Sequence, residues 1–464
     1  RMNIILIIAD TVRSDYCGCY GNTWVQTPNL DALARESALF EQFHAASFAT
    51  GPMRKDVFSG RFTFTYANWG AERPANEITL VDVLNDHGYT TAFIGDTNNS
   101  PQYRQGFDYE EIVTGWAAGL DEIPEGVDLP ADPGKLRIPM GRIDRIVRNA
   151  MAWDGEEEQR AARTMRSAHK WLEHQVSEEQ PFFLWVDTFD PHEPWDCPHY
   201  YIDAYDPGYE GDELMEPAYE SAGYASKAEI DHMRCMYAGK LTMVDRWIGY
   251  LLDGVRQMGL WDDTAVIFTS DHGFYHGEHD IIGKVKLDRA GKICGRWPLY
   301  ETICHSPLLI RVPGEASNVR RQSYCQPPDL MPTILELAGA PIPEAVQAGS
   351  VLPVVKGEHD SLREFAVSSH TYVQDAEVRS PTSFRTPDWL YVYGGDEWGH
   401  ELFDLRSDPG ETTNVIDENP ETAAQLHEGL LTFLRGVDCP ATSLGARREF
   451  RPVARTDVPY VKLI

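Results

Sequence analysis

Five short apolar runs, at residues 4–9, 91–94, 182–186, 265–269 and 308–312, constrain this chain more than any other feature of it. None alternates polar with apolar residues. A strand that is apolar on both faces must be covered on both faces, which is the pattern of parallel strands buried between helices. Helical periodicity fills the gaps, over residues 30–37, 80–87, 159–175, 230–258 and 330–337. This alternation predicts an α/β fold, a doubly wound mixed or parallel sheet sandwiched by helices. Ligands of such sheets bind beyond the carboxyl ends of the strands. Asp10 and Asp271 both stand just past one.

The chain has 464 residues, beyond the ~250–300 at which one core tends to split. The pattern changes after Gly339. Strand-like pieces at 365–368, 389–392 and 402–406 precede a helical stretch at 421–435. The division read from this is a large α/β domain over 1–355 and a smaller α+β subdomain over 356–464. The end of the chain reads as an extended tail, suited to packing on a second copy in a homo-oligomer. Residues 114–149, rich in Gly, Pro, Asp and Trp, predict a long excursion over the face that carries the site.

Lys and Arg total 41 against 72 Asp and Glu, a net charge of −31. That balance speaks against nucleic acid or an anionic membrane as partner, since both require a basic surface. The eight cysteines follow no disulfide or zinc spacing. Scattered thiols suit a reducing compartment. The first apolar run is too short for a signal peptide, and no run reaches membrane-spanning length. The expected location is the cytoplasm, or the periplasm or exterior if a leader has been removed.

The chemistry gathers at strand ends. Asp10 follows the first run, and Thr269-Ser270-Asp271-His272-Gly273 closes another. Two carboxylates and an imidazole are suitable ligands for a divalent cation. Between them lies Thr50-Gly51-Pro52-Met53-Arg54. Its four-residue offset spans one helical turn, with Thr50 at the N-terminus, where the helix favours an anion. His276, Glu278 and His279 have metal-like spacing but sit in a Gly-rich loop, and read as structural.

These segments resemble the sulfatase family of the alkaline phosphatase superfamily. Thr50–Arg54 is similar to its C-x-P-S-R signature. Tyr20-Gly21 and Thr27-Pro28-Asn29-Leu30-Asp31 resemble G-C-Y-G…T-P-N-L-D, and Gly88-Tyr89-Thr90-Thr91-Ala92 resembles G-Y-x-T-A. Further matches are Pro191-His192-Glu193-Pro194, Tyr300-Glu301, Arg311-Val312-Pro313-Gly314, Asp329-Leu330-Met331-Pro332-Thr333 and Glu401-Leu402-Phe403-Asp404-Leu405. The resemblance implies an alkaline phosphatase-like fold and one metal bound by Asp10, Asp271, His272 and Thr50. It also implies Thr50 as nucleophile, Arg54 orienting it and binding a substrate oxygen, and His192 as general acid or oxygen ligand. Either Lys284 or Arg296 would supply the cation that contacts the anion.

Three departures stand out. The family's first signature residue is a Cys or Ser oxidised to formylglycine, and a Thr cannot yield that aldehyde. Thr11 replaces a second metal-binding Asp. Gly95-Asp96-Thr97-Asn98-Asn99 replaces the family's G-K-W-H, so that Asp96 would orient a cation or Asn99 would donate to a substrate oxygen. Thr nucleophiles occur in relatives that cleave phosphodiesters, many with two metals and a D-x-x-x-H pair. Asp187 and Asp190 lie at the wrong spacing from His192 for that pair, so one metal is expected: calcium, manganese, magnesium or zinc. The reading is a metal-dependent hydrolase of phosphodiesters or phosphonate monoesters, acting on a small-molecule or saccharide anionic ester without formylglycine. The alternatives are a sulfuric ester hydrolase with an unmodified nucleophile, and a non-catalytic oxyanion-binding homologue.

Overall fold

Strand Asn3–Ala9 lies inside an eight-stranded sheet of order Val319–Cys325, Ala38–Phe43, Leu308–Arg311, Thr264–Thr269, Asn3–Ala9, Phe182–Thr188, Thr90–Gly95 and Tyr109–Ile112. The structure is a computed structural model. It describes residues 1–70, 72–97, 101–113, 129–137, 153–373, 380–395, 398–450, 454–456 and 461–462. The first strand shows why these runs are apolar throughout. Ile5, Ile7 and Ala9 enter one core, with Leu33, Met165 and Leu241 from helices Pro28–Arg35, Arg160–Gln175 and Lys227–Gln257. Ile4, Leu6 and Ile8 enter the other, with Met53, Leu84 and Ile334 from helices Thr50–Ser59, Leu80–Asp86 and Leu330–Ala338. Every position is inward-facing on one side or the other.

The strands from Thr264–Thr269 to Tyr109–Ile112 are mutually parallel. The expectation of a parallel strand at 308–312 fails: Leu308–Arg311 runs antiparallel to both its neighbours. An apolar run reports burial, not direction. The connection from residue 270 to 307 carries only the short helices Glu278–Asp280 and Glu301–Cys304, so no crossover helix returns the chain to a parallel start. Three strands were not expected. The Tyr109–Ile112 edge is mostly exposed, and Val319–Cys325 begins with alternating exposure. Ala38–Phe43 has Glu and Gln within it.

A second sheet has the order His400–Asp404, Trp389–Tyr393, Thr382–Arg385, Ala366–His370 and Ser47–Phe48. Helix Pro420–Gly436 packs Leu430 and Leu434 into the same core as Phe384 and Tyr391. Its fifth strand comes from the segment just before Thr50, with Ser369 opposite Ser47 and His370 opposite Phe48. The end of the chain was expected to be extended; its described portions include the helix Ala441–Ala446, and Val461–Lys462 pairs with the chain's own strand Ile293–Arg296. Of the 114–149 excursion, residues 129–137 are described, and the rest lies outside the described residues. Among the described residues, no helix is long and apolar enough to cross a membrane.

Candidate active site

Three adjacent parallel strands each have an aspartate near their carboxyl end. Asp187 is the penultimate residue of Phe182–Thr188, Asp10 directly follows Asn3–Ala9, and Asp271 stands two residues past Thr264–Thr269. All three are buried. Carboxylates emerging side by side in a dry environment repel one another and require a cation. Arg54 is one such cation, one turn into helix Thr50–Ser59. Its Nε and Nη2 bind Asp187 Oδ2 and Oδ1 at 3.1 and 2.8 Å. Nη2 is 3.4 Å from Asp10 Oδ2, and Nη1 donates to Asp271 Oδ2 at 2.5 Å and to the Thr50 carbonyl at 3.2 Å. The whole planar fork is therefore occupied by protein. Arg54 was expected to bind a substrate oxygen; in the structure it braces the three strand ends and the Thr50 carbonyl.

Thr50 is the first residue of its helix. Pro52 is tolerated there because first-turn N–H groups have no helical acceptor. Farther along the helix, Asp56 accepts hydrogen bonds from Ser47 N at 2.9 Å and Ser47 Oγ at 2.7 Å, fastening the helix to the strand before it. The Thr50 side chain is thus aimed by elements on both sides. Its Oγ1 lies 3.2 Å from His272 Nε2. His272 Nδ1 donates to the Gly273 carbonyl at 2.8 Å, which leaves the Nε2 lone pair facing Thr50. Burial lowers the His272 pKa to about 4, so the ring is neutral at pH 7.

The ligand atoms of Asp10, Asp271 and His272 lie within 4.8 Å of one another. Burial, and then Asp271, push the Asp10 carboxyl well above its ordinary range. Burial also opposes ionisation of Asp271, but His272 and Arg54 outweigh it and hold that carboxyl low. Asp10 Oδ2 accepts no hydrogen bond among the described residues. A buried carboxylate oxygen without a donor, a second carboxylate and a neutral imidazole lone pair fit a hard divalent cation. Thr11 adds no carboxylate. It adopts a left-handed backbone, φ 64°. Its Oγ1 donates to Asp10 Oδ1 at 2.6 Å and its N–H to Asp271 Oδ1 at 2.8 Å.

Thr50, His192, Lys284 and Arg296 line one cavity of about 290 Å³, with Trp69 and Phe48 among its apolar walls. The choice between Lys284 and Arg296 is thus not exclusive in space. Asp96 is elsewhere in role. Its carboxylate accepts from Thr164 Oγ1, Thr188 Oγ1 and the Phe189 N–H at 2.8, 3.0 and 2.6 Å. It ties strand ends and a helix together rather than binding substrate or a cation. Asn99 lies outside the described residues. Glu278 accepts from Arg13 Nη1 at 2.9 Å and from the His276 N–H at 2.6 Å, a structural arrangement. Sequence reasoning weighed Asp187 only as a partner of His192, although it lies near a strand end as Asp10 does. It passed over Glu193, Arg137 and Tyr219, for which no spacing signal exists.

Residues 2–340 match the sulfatase family. The chain belongs to the sulfatase family. Its residues 294–435 also match the C-terminal region of N-sulphoglucosamine sulphohydrolase. This sulfatase-family chain is 26% identical to arylsulfatase K of Bos taurus over 469 residues, 93% of this chain and 81% of that one. It is 25% identical to an N-acetylglucosamine-6-O-sulfatase of Bacteroides thetaiotaomicron over 486 residues, 90% of this chain and 83% of that one. Among solved structures, the phosphonate monoester hydrolase of Agrobacterium radiobacter superposes with a TM-score of 0.75 at 21% identity, covering 94% of this chain and 96% of that one. A protein solved with its substrate D-glucosamine-2-N,6-O-disulfate gives 0.73 at 20% identity, covering 96% and 99%. These structures share the alkaline phosphatase-like fold. The sulfatase-family chain is a hydrolase of sulfuric or phosphoric ester bonds.

Proposed function

We propose that this chain is a one-metal hydrolase of phosphonate monoesters or phosphodiesters, with Thr50 as nucleophile. The observation that carries this reading is the hydroxyl of Thr50 itself, buried at a helix N-terminus 3.2 Å from the His272 lone pair. A threonine hydroxyl cannot become the aldehyde hydrate that expels sulfate by elimination. It can attack phosphorus and be released again by water.

A divalent cation held by Asp10, Asp271 and His272 would polarise the ester and acidify the nucleophile. The chain's own residues supply the rest. Thr50, having lost its proton, attacks phosphorus as the alkoxide while the bond to the leaving oxygen breaks, and the helix N-terminus favours that negative charge. His192 gives its proton to the leaving oxygen. The threonyl ester then yields to water, from which His192 takes a proton as Thr50 departs. Lys284 and Arg296 supply positive charge on the cavity wall, and Trp69 offers a flat face for an aryl or sugar group.

A second reading is a sulfuric ester hydrolase. It is favoured by the curated relatives, an arylsulfatase and a saccharide sulfatase. The two separate on substrates. The first predicts turnover of bis-p-nitrophenyl phosphate and of a p-nitrophenyl phosphonate with added manganese, lost in Thr50→Ala. Turnover of p-nitrophenyl sulfate alone, by the unmodified chain, would favour the second.

A further inference from the structure

Glu193 sits behind the cavity wall and touches four of the residues that form it. The carboxylate is fully buried. Its Oε1 accepts from the Tyr219 hydroxyl and from Arg137 Nη1, the latter at 3.0 Å. Its Oε2 lies 3.1 Å from His192 Nδ1 and 3.7 Å from Lys284 Nζ. His192, Lys284, Arg137 and Tyr219 all line the Thr50 cavity. No other carboxylate in the described structure connects the two functional wall residues, His192 and Lys284, in this way.

The contacts decide which way the imidazole works. His192 Nδ1 donates to the Glu193 carbonyl at 2.6 Å, and the ring stacks on Phe189 at 3.8 Å. Nδ1 is committed to the protein, so a proton passed to a leaving oxygen has to come from Nε2. To protonate a leaving oxygen from Nε2, the ring must carry both protons and a positive charge. A buried carboxylate beside Nδ1 stabilises that charged form. The charged groups that face this cluster from neighbouring elements are Arg137 and Glu216, 3.6 Å apart, then Lys284. Asp10 and Asp271 act on it through Lys284, whose ammonium burial disfavours and Glu193 supports. Glu193 Oε2 accepts no hydrogen bond among the described residues, so it has capacity for either partner as that partner charges.

We propose that Glu193 is a positioning residue for leaving-group protonation, holding His192 in its charged form with Nε2 toward the cavity and keeping Lys284 cationic on the same wall. This rests on the reading of His192 as general acid.

The test is a leaving-group series, from p-nitrophenyl to alkyl esters of one phosphonate, on wild type, Glu193→Gln, Glu193→Asp, His192→Ala and the Glu193→Gln/His192→Ala double variant. Activated esters need little protonation, whereas alkyl esters depend on it. The Glu193→Gln variant should lose about tenfold or less on the p-nitrophenyl ester and about a hundredfold or more on alkyl esters. Its basic pH limb should move to lower pH, and the double variant should be no worse than His192→Ala. Equal loss on every ester with an unmoved basic limb overturns the proposal. If Glu193→Gln does not fold, Glu193→Asp decides: it keeps the charge, so it should hold the basic limb while losing rate on alkyl esters, and a moved limb with uniform loss overturns the idea. Thr50→Ala is run in parallel. Activity surviving there defeats the proposed function, while an inactive Thr50→Ala beside a flat Glu193→Gln series defeats only this inference.

Discussion

Arg54 and Asp187 meet fork to fork, with Nε–Oδ2 at 3.1 Å and Nη2–Oδ1 at 2.8 Å, both side chains almost wholly buried. The pair holds the end of one central strand against the helix that carries Thr50. The same guanidinium reaches Asp271 and Asp10 on the next two strands. A single arginine therefore sets the spacing of the carboxylates and the seat of Thr50.

Breaking that pair should cost stability before it costs chemistry. Asp187→Asn replaces the bidentate charge pair with a neutral amide while Arg54 keeps Asp271 and Asp10, a loss of about 1–3 kcal/mol. Arg54→Lys cannot reproduce the bidentate geometry and should lose a similar amount. Urea denaturation checks both; a change below about 1 kcal/mol for Asp187→Asn would show that the fork contributes little.

Thr50 should be nearly all-or-none for turnover and nearly neutral for folding. Thr50→Ala is expected to lower kcat/KM at least about a thousandfold. Thr50→Ser keeps a hydroxyl and should stay within about tenfold. Burst kinetics on a p-nitrophenyl ester, with mass spectrometry of the quenched enzyme, would reveal the esterified Thr50.

Thr11→Asp should tighten metal binding. Threonine is uncomfortable in the left-handed region, φ 64° here, where aspartate is better tolerated. A third carboxylate beside Asp10 and Asp271 raises the negative charge offered to a cation. Calorimetry with manganese or calcium should show affinity higher by about tenfold or more. The metal-free variant should melt lower than wild type, because the added charge is then uncompensated.

Acid should destabilise the fold partly through His44. Burial lowers its pKa from 6.5 to about 4, against the pull of Glu301, whose Oε2 is 3.2 Å from Nε2. Between those two values the unfolded chain binds the proton and the folded one does not, so stability is complete above the unfolded value and falls as pH drops toward the folded one. The contribution is up to about 3 kcal/mol. His44→Phe keeps the stack with His305 and Tyr324 but cannot titrate. Its stability should vary less over that window than wild type, measured by urea denaturation at several pH values.

Much of this was legible in the letters, for physical reasons. The central strands announced themselves because burial on both faces admits no polar residue. The candidate ligand cluster of Asp10, Asp271 and His272 followed because aspartates at strand ends have nowhere to point except beyond the sheet. Direction was not legible at 308–312, since an apolar run is the same read either way. Asp96 was misassigned because its letter lies in a motif position, while its carboxylate turns to Thr164, Thr188 and Phe189. Glu193 was invisible because its importance lies in what surrounds it, brought from residues 137, 219 and 284 by the fold alone.

The pairing of Ser47–Phe48 with Ala366–His370 has a consequence for the life of the molecule. The two strands stand far apart in the sequence and meet only in the fold. A product cut short of Ala366 can build much of the large sheet and still lack the strand beside the segment that leads into Thr50. The seat of that hydroxyl is thereby a long-range assembly, exposed to any lesion in the smaller sheet.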